Sequence, residues 1–303
     1  MTQHSNRRWR ARHAVLSAVS VVAGMSFLIA AGLGSVADAH QPVIRAAADT
    51  PGASMHTVWN KGHRLAFYVT PGHLPAIVLD AGGGEDHTQW SQIVPVLARQ
   101  TGDEIITYDR SGFGNSPAVP GPWTAQNAVS DLRAGLSQLG VTSKAILVSH
   151  SLAGEIAFRL VRNYPGLVAG AVLVDASLPE FYTPGEVARI VAANNPIIAK
   201  LKSLPLTASS RQLIALAYNY GPVHKAYHKL TWPTSIPVNV ITSSQTPYTT
   251  SIDARAWRDA AIKFARGVAN RRLVIADSGH EIPHDRPGLV ITQVEDMLHM
   301  VTR

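Results

Sequence analysis

The chain has 303 residues, of which 46% are hydrophobic and 16% charged, and a formal charge of +7. That composition supports a sizeable core and excludes a disordered chain. Four of the basic residues (Arg7, Arg8, Arg10 and Arg12) crowd into the first dozen positions. No basic run follows them, which argues against nucleic acid as a partner. There is no cysteine, so a thiol nucleophile, a thiolate metal site and any disulfide are excluded.

The basic stretch NRRWRARH is followed by an uncharged span from Ala14 to Ala37, and Ala37–Ala39 then offers a small-x-small cleavage pattern before His40. Residues 1–39 therefore read as a signal peptide of an exported protein, periplasmic or secreted. The apolar span also approaches the length of an uncleaved anchor facing outward, the one route by which a membrane enters. The Arg7–Arg8 pair matches a twin-arginine signal only loosely. Residues 40–60 lack periodicity and read as a linker into a domain over 61–303.

From there, short apolar runs alternate with helical patterns. The runs at 64–69, 76–80, 105–109, 145–149, 171–175, 238–243 and 272–277 are rich in β-branched residues and end at turn signals. Several are apolar on both faces, as strands covered by helices on two sides must be. Amphipathic stretches lie at 89–100, 125–139, 152–164, 254–267 and 287–301, with Asp253 placed to cap the fourth and Pro287 to open the fifth. This alternation predicts an α/β fold with a mostly parallel sheet. Residues 178–236 break the rhythm. They are too long for one loop and helix, and prolines at 179, 184, 196, 205, 222 and 233, with Pro237 directly after, cut them into short helical pieces. They read as a helical cap over one end of the sheet.

In open α/β sheets, sites form beyond the carboxyl ends of the strands. The segments just past the strands therefore hold the candidate residues. These segments are AGGG (Ala81–Gly84), RSGFGNS (Arg110–Ser116), HSLAG (His150–Gly154), Asp175, and DSGHEIPHD with His280. A serine, an acid and a histidine in that chain order, each just past a strand, make a Ser…Asp…His arrangement.

The glycine run, YDRSGFGNS, the serine turn, LVDAS and SGHEIP, taken in order over 64–302, resemble the α/β-hydrolase superfamily. A nucleophile elbow needs small residues two before and two after the nucleophile. Ser151 has Ser149 and Ala153 there, whereas Ser149 would have Leu147, so Ser151 is the expected nucleophile. Both places carry a methyl-sized addition relative to glycine, and Gly154 stands one place later to relieve a close contact. The resemblance places the base at His280, with His284 as the alternative, and leaves His150 a structural role. Many relatives carry the acid after the strand at 238–243, where this chain has SQTPYTT and no carboxylate. Asp175 matches the branch that carries it one strand earlier, and Asp253 is the competing candidate. By the same resemblance the oxyanion donors are the backbone N–H groups of Leu152 and Gly83. DRSGFGNS reads as a structural loop with Asp109 and Arg110 paired.

The resemblance implies an exported serine hydrolase that cleaves an ester-like carbonyl without a cofactor. Relatives acting as haloalkane dehalogenases or epoxide hydrolases use an aspartate nucleophile, which Ser151 argues against. A cofactor-free haloperoxidase, a lactonase, or an inactive hydrolase fold serving as a binding protein are the other readings. His280-Glu281-Ile282-Pro283-His284 has the spacing of a zinc motif, but Pro283 breaks the helix that motif needs, so no metal is expected. Phe181, Tyr182, Tyr218, Tyr220, Tyr227 and Trp232 in the cap read equally as an apolar pocket for a small-molecule substrate or as the cap's own core.

Overall fold

The computed structural model describes residues 52–302 apart from 122, 206 and 207. The signal-peptide and anchor readings lie outside the described residues. Eight strands form one sheet in the order β1-β2-β4-β3-β5-β6-β7-β8. They are β1 (Ser54–Asn60), β2 (His63–Thr70), β3 (His73–Asp80), β4 (Asp103–Tyr108), β5 (Ala145–His150), β6 (Val168–Val174), β7 (Val238–Ser243) and β8 (Arg271–Ala276). β1–β2 and β2–β4 are antiparallel pairs. All the others are parallel.

The helices are α1 (Val94–Thr101), α2 (Ala125–Gln138), α3 (Ala153–Asn163), α4 (Pro184–Lys202), α5 (Ala208–Tyr227), α6 (Ser251–Ala265), the single turn α7 (Ile282–Asp285) and α8 (Pro287–Val301). The period-2 alternation of the strands sorts their side chains onto two faces. Ala76 and Val78 of β3, with Leu147 of β5, join the core that holds α2, α3 and α6. Ile77 and Leu79, with Ile146 and Val148, join the core under α1 and α8. Each of the Val, Leu and Ile side chains contributes about 1.5–3 kcal/mol on burial. Among the described residues no helix is long and apolar enough to cross a membrane.

Three local expectations are corrected. Ser54–Asn60 is a strand, not linker. It is an edge strand in which only Val58 is fully buried, so it carries no apolar alternation to read. It is defined instead by the tight turn to β2, where Lys61 (φ 47°) and Gly62 (φ 82°) both take left-handed backbone, as a two-residue hairpin requires. Second, residues 178–236 hold two long helices, α4 and α5, of 19 and 20 residues. Pro184 opens α4, where a missing N–H costs nothing, and Pro196 and Pro222 are absorbed inside α4 and α5. Packing of α4 and α5 into the core through Val187, Ile190, Tyr220 and Tyr227 offsets that backbone cost. Third, Thr250, not Asp253, caps α6, its hydroxyl accepting from the Asp253 N–H. A residue three places past the cap is still inside the first turn, where an acid is favoured for the same electrostatic reason.

Gly154 opens α3 against the segment that leaves β6. A Cβ there would stand 2.5 Å from the Ser177 carbonyl oxygen and 2.9 Å from the Ala176 Cβ. Backbone cannot yield to that contact cheaply. Gly154→Ala is expected to lower stability by about 1–3 kcal/mol, read as a fall in the urea midpoint without a change in slope. An unchanged midpoint would show that the segment after β6 gives way.

Candidate functional site

The carboxyl ends of the parallel strands stand level, since Asp80 pairs with Ser149, His150 with Val174, Val174 with Ile241 and Ser243 with Ala276. The chain leaves β3 toward β4 on one side and returns through β5 on the other. Such a switch point opens a crevice between the two loops that leave those strands. These are the glycine loop after β3 and the serine turn after β5.

Ser149 is buried within β5, and His150 is the last strand residue. Ser151 follows with φ at 52°, left-handed backbone for a side-chain-bearing residue. That conformation costs about 1–2 kcal/mol. It is held by the Ser151 N–H donating to Val174 O at 3.1 Å and by its carbonyl accepting from Gly154 (3.0 Å) and Ser177 (2.9 Å). Small residues at Ser149 and Ala153 thus suffice for the sharp turn. The Gly154 contact falls on the segment after β6, as the tight approach expected there requires.

The turn aims Ser151 Oγ at His280 Nε2, 2.9 Å away, and His280 Nδ1 lies 2.6 Å from Asp175 Oδ2. Asp175 follows β6 with φ at 38°. Its buried carboxylate reaches under the end of β7, where donors converge. Oδ1 accepts from the Ser243 N–H (3.0 Å), the Thr242 hydroxyl (3.2 Å) and Trp257 Nε1 (3.0 Å), and Oδ2 also accepts from the Ser243 hydroxyl (2.7 Å). Burial alone would raise its pKa, but the hydrogen bonds from His280 and Ser243 hold it below the usual carboxylate range. It therefore stays charged at neutral pH.

His150 lies behind His280, with ring centroids 4.8 Å apart. Its Nε2 donates to the His280 carbonyl at 3.0 Å, and its Nδ1 faces Gln89 Nε2 at 3.1 Å. Burial, then the neighbouring His280, push its pKa down to about 3, so the ring is neutral at working pH.

In the glycine loop, a Cβ on Gly83 would meet the Leu152 side chain at 3.4 Å, so the two expected oxyanion positions are neighbours. Arg110 is buried and pairs with Asp80 at 2.6 Å, and its other guanidinium nitrogen donates to the Gly82 carbonyl. In a trans peptide the N–H points opposite the C=O. By gripping Gly82 O, Arg110 fixes the direction of the Gly83 N–H. The expected Asp109–Arg110 pair does not form. Asp109 instead accepts from His87 Nδ1 (2.7 Å), the Tyr68 hydroxyl (2.9 Å) and the Asn115 N–H (2.7 Å). Neighbours in sequence at a strand end point to opposite faces, which separates these two.

The two alternates lie apart from this constellation. Asp253 is committed to Thr250 and to Arg189 of α4, whose Nε stands 3.2 Å from its carboxylate. His284 is 75% exposed and hydrogen-bonded to Asp285 at 3.2 Å. Among the described residues, two sets bring metal-ligand atoms within 4.8 Å of one another: His150, His280 and Glu281, and Asp86, His87 and Asp109. Hydrogen bonds engage both sets, the first with Gln89 and the second through His87 and Asp109. Of the aromatics in residues 178–236, Phe181, Tyr182, Tyr220, Tyr227 and Trp232 are buried in the core. Tyr227 and Trp232 both pack on Phe158, while Tyr218 is 63% exposed.

Ser243, Thr242, Trp257, Gln89 and the true partner of Arg110 were not readable as site residues. Hydroxyls at the end of β7, where relatives carry the acid, are the one local signal of the first two.

A profile described as the alpha/beta hydrolase family matches residues 77–293. The chain belongs to this family. Among curated relatives, a mouse protein named sn-1-specific diacylglycerol lipase ABHD11 is 35% identical over 113 residues, 37% of this chain and 36% of that one. The chain thus spans little more than a third of that relative's length. An esterase structure from Thermogutta terrifontis aligns with a TM-score of 0.55 and 21% identity over 82% of this chain and 98% of that one. The haloalkane dehalogenase DatA from Agrobacterium tumefaciens C58 aligns at 0.59 and 15%, over 82% and 97%. These structural likenesses establish the shared fold of a family whose hydrolases attack different bonds. The α/β hydrolase of this chain therefore takes its chemistry from its own site.

Proposed function

We propose that this α/β hydrolase is an exported serine hydrolase that cleaves ester-like carbonyl substrates through an acyl-enzyme. The observation that carries the reading is the continuous chain Ser151 Oγ–His280 Nε2 (2.9 Å) and His280 Nδ1–Asp175 Oδ2 (2.6 Å), with Ser151 on a left-handed elbow. Ser151 Oγ bonds to the carbonyl carbon as its proton passes to His280 Nε2. The Leu152 and Gly83 N–H groups hold the resulting oxyanion, each worth about 2.7–4 kcal/mol where such donors have been removed. Collapse breaks the bond to the alkoxide, which takes the proton from His280. Water then repeats the sequence and frees the acid. Asp175, charged throughout, fixes the His280 tautomer and stabilises its cationic form. No cofactor enters these steps.

Residues 178–236 are proposed as a cap whose aromatic content favours an apolar acyl or aromatic group on the substrate. The basic and apolar character of 1–39 supports export, with retention as an outward-facing anchor the alternative. A fluorophosphonate probe is expected to label the protein stoichiometrically, with the adduct mapped by mass spectrometry to the peptide containing Ser151. Labelling at another serine would overturn the nucleophile, and absence of labelling in folded protein would favour a non-catalytic binding role.

A further inference from the structure

We propose that Gln89 is a positioning residue that holds the glycine loop, the serine elbow and the His280 loop in register through one side-chain amide. The inference rests on the serine-hydrolase reading. Gln89 lies on the short 3-10 turn His87–Trp90, which is fixed by the fully buried Trp90 and by Asp86 accepting from the Thr88 N–H. Its Oε1 accepts from the Gly82 N–H at 2.9 Å, and its Nε2 donates to His150 Nδ1 at 3.1 Å and Glu281 Oε2 at 3.3 Å. Gly82 precedes Gly83, His150 precedes Ser151, and Glu281 follows His280. A single amide therefore bonds one residue away from each part of the proposed machinery.

The direction of every bond is forced. The Gly82 N–H can only donate, so Oε1 faces it and the NH2 group faces the other two partners. His150 Nδ1 must then accept, leaving its proton on Nε2, which faces the His280 carbonyl at 3.0 Å, itself only an acceptor. The neutral state of His150 keeps that tautomer available across the working range. The approach is also tight at the glycine loop, since a Cβ on Gly82 would stand 2.7 Å from His150 Nδ1. Gln89 and Arg110 grip the Gly82 residue from its N–H and C=O sides, while His150 passes the constraint to the backbone that carries the base.

Removing this amide loosens three loops that must agree to a fraction of an ångström, and displacements near 1 Å cost about 10²-fold in turnover. The test uses Q89M, which keeps the volume without the polar atoms, and Q89N, which keeps them on a shorter arm that cannot span all three partners. Competent sites are counted by fluorophosphonate titration, and kcat per titrated site and KM are measured with a short-chain aryl ester, beside thermal midpoints. The expected result is a fall of about 10–100-fold in kcat per titrated site with KM within about threefold in both variants. A purely structural role would lower the midpoint or the titrated fraction and leave kcat per site unchanged, and that result would overturn the proposal. If Q89M fails to fold, Q89N decides. Wild-type protein that takes no probe would sink the serine-hydrolase reading itself, whereas labelled wild type with undiminished variants sinks only the role of Gln89.

Discussion

Ser151→Ala is expected to reduce ester turnover by about 10⁶-fold, the scale seen when a serine nucleophile is removed from an intact triad. The only function lost is the Oγ, 2.9 Å from His280 Nε2. The elbow itself is built from backbone: the Ser151 N–H on Val174 O and its carbonyl on Gly154 and Ser177. Alanine suffers the same left-handed penalty as serine at φ 52°, so the thermal midpoint is expected to stay within about 2 °C, no more than a change of about 1 kcal/mol produces in a domain of this size. Steady-state rates with an aryl ester, with circular dichroism as the control of folding, make the comparison. Turnover surviving in the folded variant would show that another group attacks the carbonyl.

Asp175→Asn is expected to cost about 10⁴-fold in kcat, while Asp253→Asn leaves kcat within a few-fold. The reason lies in the donors around Asp175. Oδ1 accepts from two hydrogen-bonding groups of β7 and from Trp257, so an asparagine must keep its carbonyl there. Its NH2 group then occupies the Oδ2 place beside Ser243 Oγ and His280 Nδ1. The Ser243 hydroxyl can turn to accept, but His280 Nδ1 can accept only by moving its proton to Nε2. That tautomer points a proton at Ser151 Oγ and cannot remove one. Asp253, by contrast, ties the start of α6 to Arg189 of α4, so its loss falls on stability. Parallel measurement of the two variants with one ester settles the acid. A larger kcat loss at Asp253 would overturn Asp175.

Most of the fold is legible in the chain because it rests on local signals. Seven strands and five helices announce themselves by period 2 and period 3.6, and their alternation implies parallel pairing. β1 is not legible, since an edge strand with one buried side chain has no alternation, and a Lys-Gly turn is a weak hairpin signal. The insertion misleads for a different reason. Proline statistics describe isolated helices, whereas α4 and α5 are held by their burial in the core.

For the site, Ser151 could be named because strand ends and small neighbours are written along the chain, while Asp175 and His280 stand out among the residues past strand ends through the resemblance to the family. By itself the sequence determined the order of elements, the serine at the elbow and the three groups that come after β5, β6 and β8. What only the tertiary structure decided is which groups serve them: the β7 hydroxyls and Trp257 on Asp175, Arg110 on the glycine loop rather than on Asp109, and Gln89 between three loops. Such partners lie up to 192 residues apart in the chain. Hydrogen bonds across that separation depend on strand register and loop approach, which no local pattern encodes.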